Sequence, residues 1–373
     1  MNPINPFLLT GYVSPEFFCN RGEETAAMMA ALRNGRSLTL ISPRRMGKTG
    51  LIRHVFYQTT LSKAAKCYYI DLYQTDSLVL LVQKLGDAVL GSLDTTASSI
   101  VRRVSSFFKS LRPVITIDPV TGHPSFSINI QEDTAERSLA EILDYMQQSG
   151  KPCYVAFDEF QAVAGYADRN VEALLRAHIQ HVTNVRFIFS GSQRHVLESM
   201  FTSASRPFYQ STQMMHLDAI AESAYYDFAK EKLESHGQHL PAAAFSYLYG
   251  QLSGHTWYVQ TVLNRLYESS EPIISEQTVD RLLGNIVDEN DATYHVFLNL
   301  LTSAQGRLLK AIAKEGTVTE LLGHAFISAH NLGATSTVKS AAVALVEKEM
   351  LLQHSDAYQV YDRFFSLWLK REP

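Results

Sequence analysis

Lys48 and Thr49, directly after Gly47, are the residues of this chain whose types and order best suit phosphate chemistry. A lysine ammonium bridges anionic oxygens, a threonine hydroxyl ligates Mg2+, and a glycine lets the backbone approach a phosphate closely. A second group stands about 110 residues further on, where Asp158 and Glu159 close the apolar run "CYVAFDEF". Two adjacent carboxylates at a strand end divide the work: Asp158 suits an Mg2+ shell opposite Thr49, and Glu159 suits accepting a proton from an attacking water. A third apolar run, "VRFIFSGS", ends in Ser190 and Ser192, either of which can offer a hydroxyl to a terminal phosphate.

Such chemistry needs a strand, a tight turn with inward N–H groups, and a helix whose N-terminus faces the phosphates. "LTLISPRRMGKTGLI" supplies all three: an apolar strand ends at Ser42, the turn is Pro43, Arg44, Arg45 and Met46, and Gly47, Lys48, Thr49 and Gly50 open a helix. Ser42 stands where such a loop normally has its first glycine. An ordinary strand-turn-helix would explain the Gly-Lys-Thr triplet alone, and a strand whose acidic end caps the next helix would explain "AFDEF" alone. The two together, in this order, favour a phosphate loop followed by a Walker B segment.

The elements around these motifs repeat. "SLTLIS", "KCYYIDL", "CYVAFDE", "VRFIFSGS" and "QMMHLD" are short apolar strands separated by helical patterns, which predicts an α/β fold: a parallel sheet of at least five strands covered on both faces. "PVITIDPVTGHPSFSINI" alternates around a Thr-Gly turn and predicts a β-hairpin inserted near 113–130. Beyond 217 the β signal stops. Helical patterns closed by glycine predict a helical domain over 218–290. Capping-box spacing at Thr302 and Gln305, further helices and a final apparent hairpin predict a winged helix within 291–373. The expected domains are thus 1–217, 218–290 and 291–373.

At 46% hydrophobic and 19% charged residues, the chain has the composition of a globular protein, and a net charge of −4 gives no global bias toward nucleic acid or anionic membrane. Without a signal-like start or an apolar span of membrane length, the expected location is the cytoplasm. The three cysteines, Cys19, Cys67 and Cys153, are scattered with no Cys or His pair nearby, so neither a disulfide framework nor a zinc site is expected.

The chain resembles the prokaryotic archaeal-type P-loop ATPases, relatives of the STAND switch proteins within the wider AAA+ group. The resemblance covers nearly the whole chain. It rests on "FFCNRGEE" at 17–24, "SPRRMGKT" at 42–49, "AFDEFQ" at 156–161, "FSGS" at 189–192, "RPFYQ" at 206–210, "GHTWYVQ" at 254–260 and the terminal "YDRFFSLWL". In that family the first loop position tolerates substitution and Pro-Arg-Arg is characteristic. The resemblance implies an Mg2+-dependent ATPase in which ATP binding closes a helical lid and winged helix onto the core. Phe18 to Glu24 would form the segment that lies against the adenine, with Asn20 and Arg21 beside the base or closing the nucleotide pocket. "GHTWYVQ" would begin the lid helix that carries a second sensor, though Thr256 replaces the proline usual in relatives, which weakens an adenine contact from His255. Arg44, Arg45, Arg176, Arg194 and Arg206 compete to neutralise the γ-phosphate, with Arg176 and Arg206 the preferred pair. The winged helix has two candidate uses: packing on the core as a regulatory or partner-binding module, or binding DNA through Thr335, Ser336, Thr337, Lys339 and Ser340. With eight Lys/Arg against seven Asp/Glu over 301–373, the packing role is favoured. The protein partner is not identified by the sequence, and an oligomer is compatible with it.

Overall fold

The computed structural model describes residues 5–91, 108–110, 112–117, 124–168, 170–269, 271–354 and 356–371. The chain divides into two compact units: Gly11–Asp218, and Met1–Thr10 with Ala219–Pro373.

The first unit is built on five parallel strands: β1 (Leu38–Ile41), β2 (Lys66–Asp71), β5 (Cys153–Asp158), β6 (Val185–Gly191) and β7 (Gln213–His216). Their order across the sheet is β2-β5-β6-β1-β7. All five apolar runs are strands. Alternation along β5 sends Val155 and Phe157 into one core and Tyr154 and Ala156 into the other, which is how a continuous apolar strand serves a sheet covered on both faces. Among the described residues, six helices accompany the sheet: α1 (Gly22–Arg33), α2 (Lys48–Leu61), α3 (Leu78–Gly91), α4 (Ala135–Gln147), α5 (Val171–Ile179) and α6 (Arg194–Thr202). One face carries an aromatic cluster in which Phe160, packed against Phe189 and Phe208, anchors the turn just after Glu159. β3 (Arg112–Ile117) and β4 (Pro124–Asn129) pair antiparallel; the Thr-Gly turn expected between them lies outside the described residues.

The second unit contains α7 (Glu222–Glu234), α8 (Ala242–Gln251), α9 (Thr256–Glu268), α10 (Glu276–Glu289), α11 (Asp291–Asn299), α12 (Ser303–Glu315), α13 (His324–Ala329), α14 (Thr335–Glu347), β8 (Leu351–His354), β9 (Ala357–Val360) and α15 (Arg363–Arg371). The capping box of α12 forms as its spacing suggests, with Gln305 N–H donating to the Thr302 hydroxyl. α12 to α14 followed by the β8–β9 hairpin make a winged helix. Residues 219–290 and 291–373 fall in this one unit because they share a core: Tyr258 of α9 meets Phe364 of α15 edge-on at 5.0 Å. The first ten residues join it too, with Asn5 Nδ2 donating to Asn264 O and Asn264 Nδ2 to Phe7 O. Among the described residues no helix is long and apolar enough to cross a membrane.

Candidate functional site

The parallel order brings β1, β5 and β6 to a common carboxyl end, where open α/β sheets place their ligand sites. β1 stops at Ile41 and the chain turns through Ser42–Gly47 into α2. Arg45 and Gly47 both take left-handed backbone conformations, with φ of 65° and 95°. Such alternation points successive N–H groups inward, and at Gly47 any side chain would be strained. Ser42 is not among the left-handed residues. It is buried, and its hydroxyl donates to Pro43 O at 3.1 Å, so its Cβ fits the turn without strain.

Lys48 is buried in the turn, where its ammonium donates to Ser42 O at 3.0 Å and to Pro43 O at 2.9 Å. Burial pulls its pKa down to about 8, against the attraction of Asp158 and Glu159, and Arg44 adds to the lowering. Thr49 donates its hydroxyl to Asp158 Oδ2 at 2.8 Å. The register that sets Phe157 against Phe189 places Asp158 beside Ser190, whose hydroxyl donates to Asp158 Oδ1. Tyr69, on β2, donates its hydroxyl to Asp158 Oδ2, and its ring carries the Arg53 guanidinium 4.1 Å from the centroid. Burial and the adjacent carboxylate push the Tyr69 phenol upward, so it remains a donor.

Glu159 has a left-handed backbone (φ 56°), which turns its side chain away from Asp158 toward the end of β6. There Oε2 accepts from the Ser192 hydroxyl at 2.7 Å, the Ser192 N–H at 3.2 Å and Gln161 Nε2. Gly191 is needed for this arrangement because a Cβ there would collide with Gln161 Oε1. The two serines thus differ in role: Ser190 holds Asp158 and Ser192 holds Glu159. Glu159 and Arg44 line a cleft of about 400 Å³ with Tyr73, Gln161 and Gln193.

The segment before α1 reaches this end of the sheet. Phe18 packs on Gly50, where a Cβ would lie 3.4 Å from its ring, and it stacks on His54 at 4.3 Å. Tyr12 hydrogen-bonds His54 Nδ1 at 2.9 Å, and Gln58 hydrogen-bonds Nε2 at 2.7 Å. Asn20 is exposed, whereas Arg21 is buried and clamps the turn: Nη1 donates to Glu24, and Nη2 donates to Met46 O at 3.3 Å and Asp218 O at 2.6 Å.

The arginines are distributed differently from expectation. The charge of Arg44 acts on Lys48. Arg176 lines a cleft with Ser37, Val185 and Gln213, at the amino ends of β1, β6 and β7, opposite the Lys48 turn. Arg206 is paired with Glu172 at 2.5 Å, and Arg194 with Glu198 at 2.8 Å. His255 belongs to the second unit, where it is buried against Tyr258. Tyr69, Gln161, Tyr12 and His54 were absent from the sequence-derived set. Tyr69 shares a strand face with Asp71, and only the pairing of β2 with β5, which sets Asp71 opposite Asp158, brings it to the site.

Over nearly its whole length the chain matches the structure of a Walker-type ATPase of Pyrococcus abyssi, with TM-score 0.66 and 17% identity over 98% of this chain and 99% of that one. The chain has a P-loop ATPase fold. Similar coverage relates it to the ORC2 protein of Aeropyrum pernix in ADPNP–ADP complexes (TM-score 0.58, 16% identity, 98% and 95%). The ORC1 protein of Aeropyrum pernix in complex with DNA is also similar (TM-score 0.54, 13% identity, 99% and 97%). A protein-family model described as "Probable winged helix domain" matches residues 292–371. No curated protein matches the chain. At these identities the likeness to solved structures is one of fold.

Proposed function

We propose that this chain binds ATP with Mg2+ in the Ser42–Thr49 turn and hydrolyses it, using the cycle as a conformational switch. The observation that carries the reading is the Asp158 carboxylate, which receives the hydroxyls of Thr49, Ser190 and Tyr69 next to a buried lysine and a left-handed turn. The donor set fits the metal: hydroxyl and carboxylate oxygens alone, which Mg2+ prefers, with room for its waters because Thr49 is exposed. Thr49 would ligate through its free lone pairs while still donating to Asp158, and Asp158 would act through the water shell. Mg2+ so held would neutralise charge on the phosphates.

The chain's own residues divide the remaining work. Lys48 supplies a cation that a phosphate can draw from two loop carbonyls, and the left-handed residues aim N–H groups at the same oxygens. Glu159 accepts the proton of an attacking water, with Ser192 and Gln161 fixing its orientation. Phe18, stacked on His54 above Gly50, offers an aromatic face for the base, and Arg21 keeps the turn in place through Met46. In cis, the charge of Arg44 beside Lys48 and Glu159 suits the γ-phosphate better than Arg176 or Arg206 does. Support from relatives is of fold, and it includes a protein solved with ADPNP and ADP. The test is Lys48→Ala: Mg-ATP should raise the melting temperature of the wild type and leave the variant unmoved. An equal rise in both removes the site assignment.

A second reading, a DNA-binding regulator with ATP as effector, rests on the first turns of α14, where Thr335, Ser336, Thr337, Lys339 and Ser340 are all exposed. A similar fold has been solved with DNA. Retention of duplex DNA that falls steeply with salt and is lost in Lys339→Glu supports this reading; no retention at low salt ends it.

A further inference from the structure

At the amino ends of β1, β6 and β7, opposite the Lys48 turn, lies a cleft of about 340 Å³ lined by Arg36, Arg176 and Arg186 together with Ser37, Gln180 and Gln213. Among the described residues no carboxylate lines it, although the chain as a whole carries a net charge of −4. The nearest helical partner is already engaged: Glu172, one turn before Arg176 on α5, is bonded to Arg206 at 2.5 Å. Arg186 lies across Gly35, where a Cβ would come within 3.1 Å of Nη2, and Gly35 itself has a φ of +80°. Only glycine both takes that turn and leaves space for the guanidinium. Arg186 Nη1 donates to Val185 O at 2.8 Å, while its Nε–H is buried with no acceptor among the described residues.

Three arginines line this one cleft, and a multivalent oxyanion placed among them would gain charge-assisted hydrogen bonds. The serine and glutamine side chains add neutral donors of the kind phosphate oxygens accept. The volume is that of a small-ligand pocket, whereas a nucleic-acid backbone calls for a basic stripe that follows a row of phosphates. We propose that this cleft is a second anion site that takes the diphosphate or polyphosphate group of a small molecule, separate from the Lys48 turn. The inference does not rest on the ATPase reading.

The probe is pyrophosphate, titrated calorimetrically into Lys48→Ala so that the turn at the other end of the sheet is disabled. The expected result is one site per chain, weakened about tenfold or more by adding Arg36→Gln and Arg176→Gln. Arg36 is exposed, so Arg36→Gln alone leaves the fold intact and should still weaken binding by about threefold or more. No binding to Lys48→Ala, or equal affinity with and without the arginines, overturns the proposal. Arginine-dependent retention of duplex DNA without pyrophosphate binding also overturns it, in favour of a nucleic-acid surface. Each of these failures leaves the assignment of the Lys48 turn standing.

Discussion

Adding nucleotide at alkaline pH should draw protons from solution, and the amount follows from Lys48. Burial holds its pKa near 8, where an ordinary lysine has 10.5. The amine is then about half protonated at pH 8 and about one-tenth protonated at pH 9. Phosphate oxygens beside it favour the charged form and return the value toward the ordinary range or above. The expected uptake per chain is about 0.1 proton at pH 7, about 0.5 at pH 8 and about 0.9 at pH 9. Phosphate groups themselves, with a second pKa of about 6, have no proton left to exchange at the upper values. The assay is calorimetric titration with Mg-ADP at pH 9 in two buffers of different protonation enthalpy, whose difference in heat counts protons. Lys48→Arg, which stays charged throughout, should bind without uptake. An uptake below about 0.2 at pH 9 in the wild type, or the same uptake in Lys48→Arg, refutes the reasoning. The same sign governs stability before nucleotide is added. The folded pKa lies below the unfolded one, so the charged amine is a cost, fully present below pH 8 and lost as pH rises toward 10.5. At about 1.4 kcal/mol per decade it is on the order of 3 kcal/mol.

Three further outcomes are expected. Tyr69→Phe removes one of the hydroxyls on Asp158 and should raise the Mg2+ concentration for half-maximal thermal stabilisation with ADP about tenfold, leaving metal-free ADP binding within about twofold. Equal Mg2+ dependence would show that Tyr69 only packs under Arg53. Glu159→Gln should keep Mg-ATP binding while single-turnover hydrolysis falls by about 10²- to 10⁴-fold; an unchanged rate takes Glu159 out of the chemistry. Ser42→Gly should lower stability to urea by about 0.5–1 kcal/mol, through lost backbone restriction, and leave nucleotide affinity as it was. A large gain in affinity would mean that the serine obstructs the phosphate.

The strands and the Lys48–Thr49 and Asp158–Glu159 pairs were legible because each is written locally: an apolar run, then the polar residues that must emerge at its end. Arg176, expected at the γ-phosphate, lies instead where a rule that residue type does not express would put it. A helix joining two parallel strands runs back toward their amino ends. α5 ends at Ile179, and β6 begins at Val185. A residue three positions from the end of α5 must therefore finish at the edge opposite the Lys48 turn, whatever its charge. Tyr69 and Gln161 were less accessible. Tyr69 reaches Asp158 only once β2 is known to lie beside β5, and Gln161 reaches Glu159 only because Glu159 takes a left-handed conformation. His54 looked like a helix residue among others. Its two ring partners come from Tyr12, 42 residues upstream, and Gln58, four residues on.

Backbone strain at the carboxyl end of the sheet sharpens what the Lys48 turn requires. Asn20, Arg21, Arg45 and Glu159 all have positive φ without being glycine. Each such residue costs on the order of 1 kcal/mol or more and persists only where surrounding contacts over-determine it. Those contacts are visible at two of them: Arg21 spans from Glu24 to Met46 and Asp218, and Glu159 is held by Ser192 and Gln161. Gly47 has a still larger φ of 95° and no side chain to recruit such contacts, so here the glycine itself carries the geometry. Position 42 has no such demand. Its backbone is not left-handed, and the hydroxyl satisfies a carbonyl one residue on. The turn thus depends on the glycine beside Lys48, and the serine at its first position is a residue that the same backbone accepts without strain.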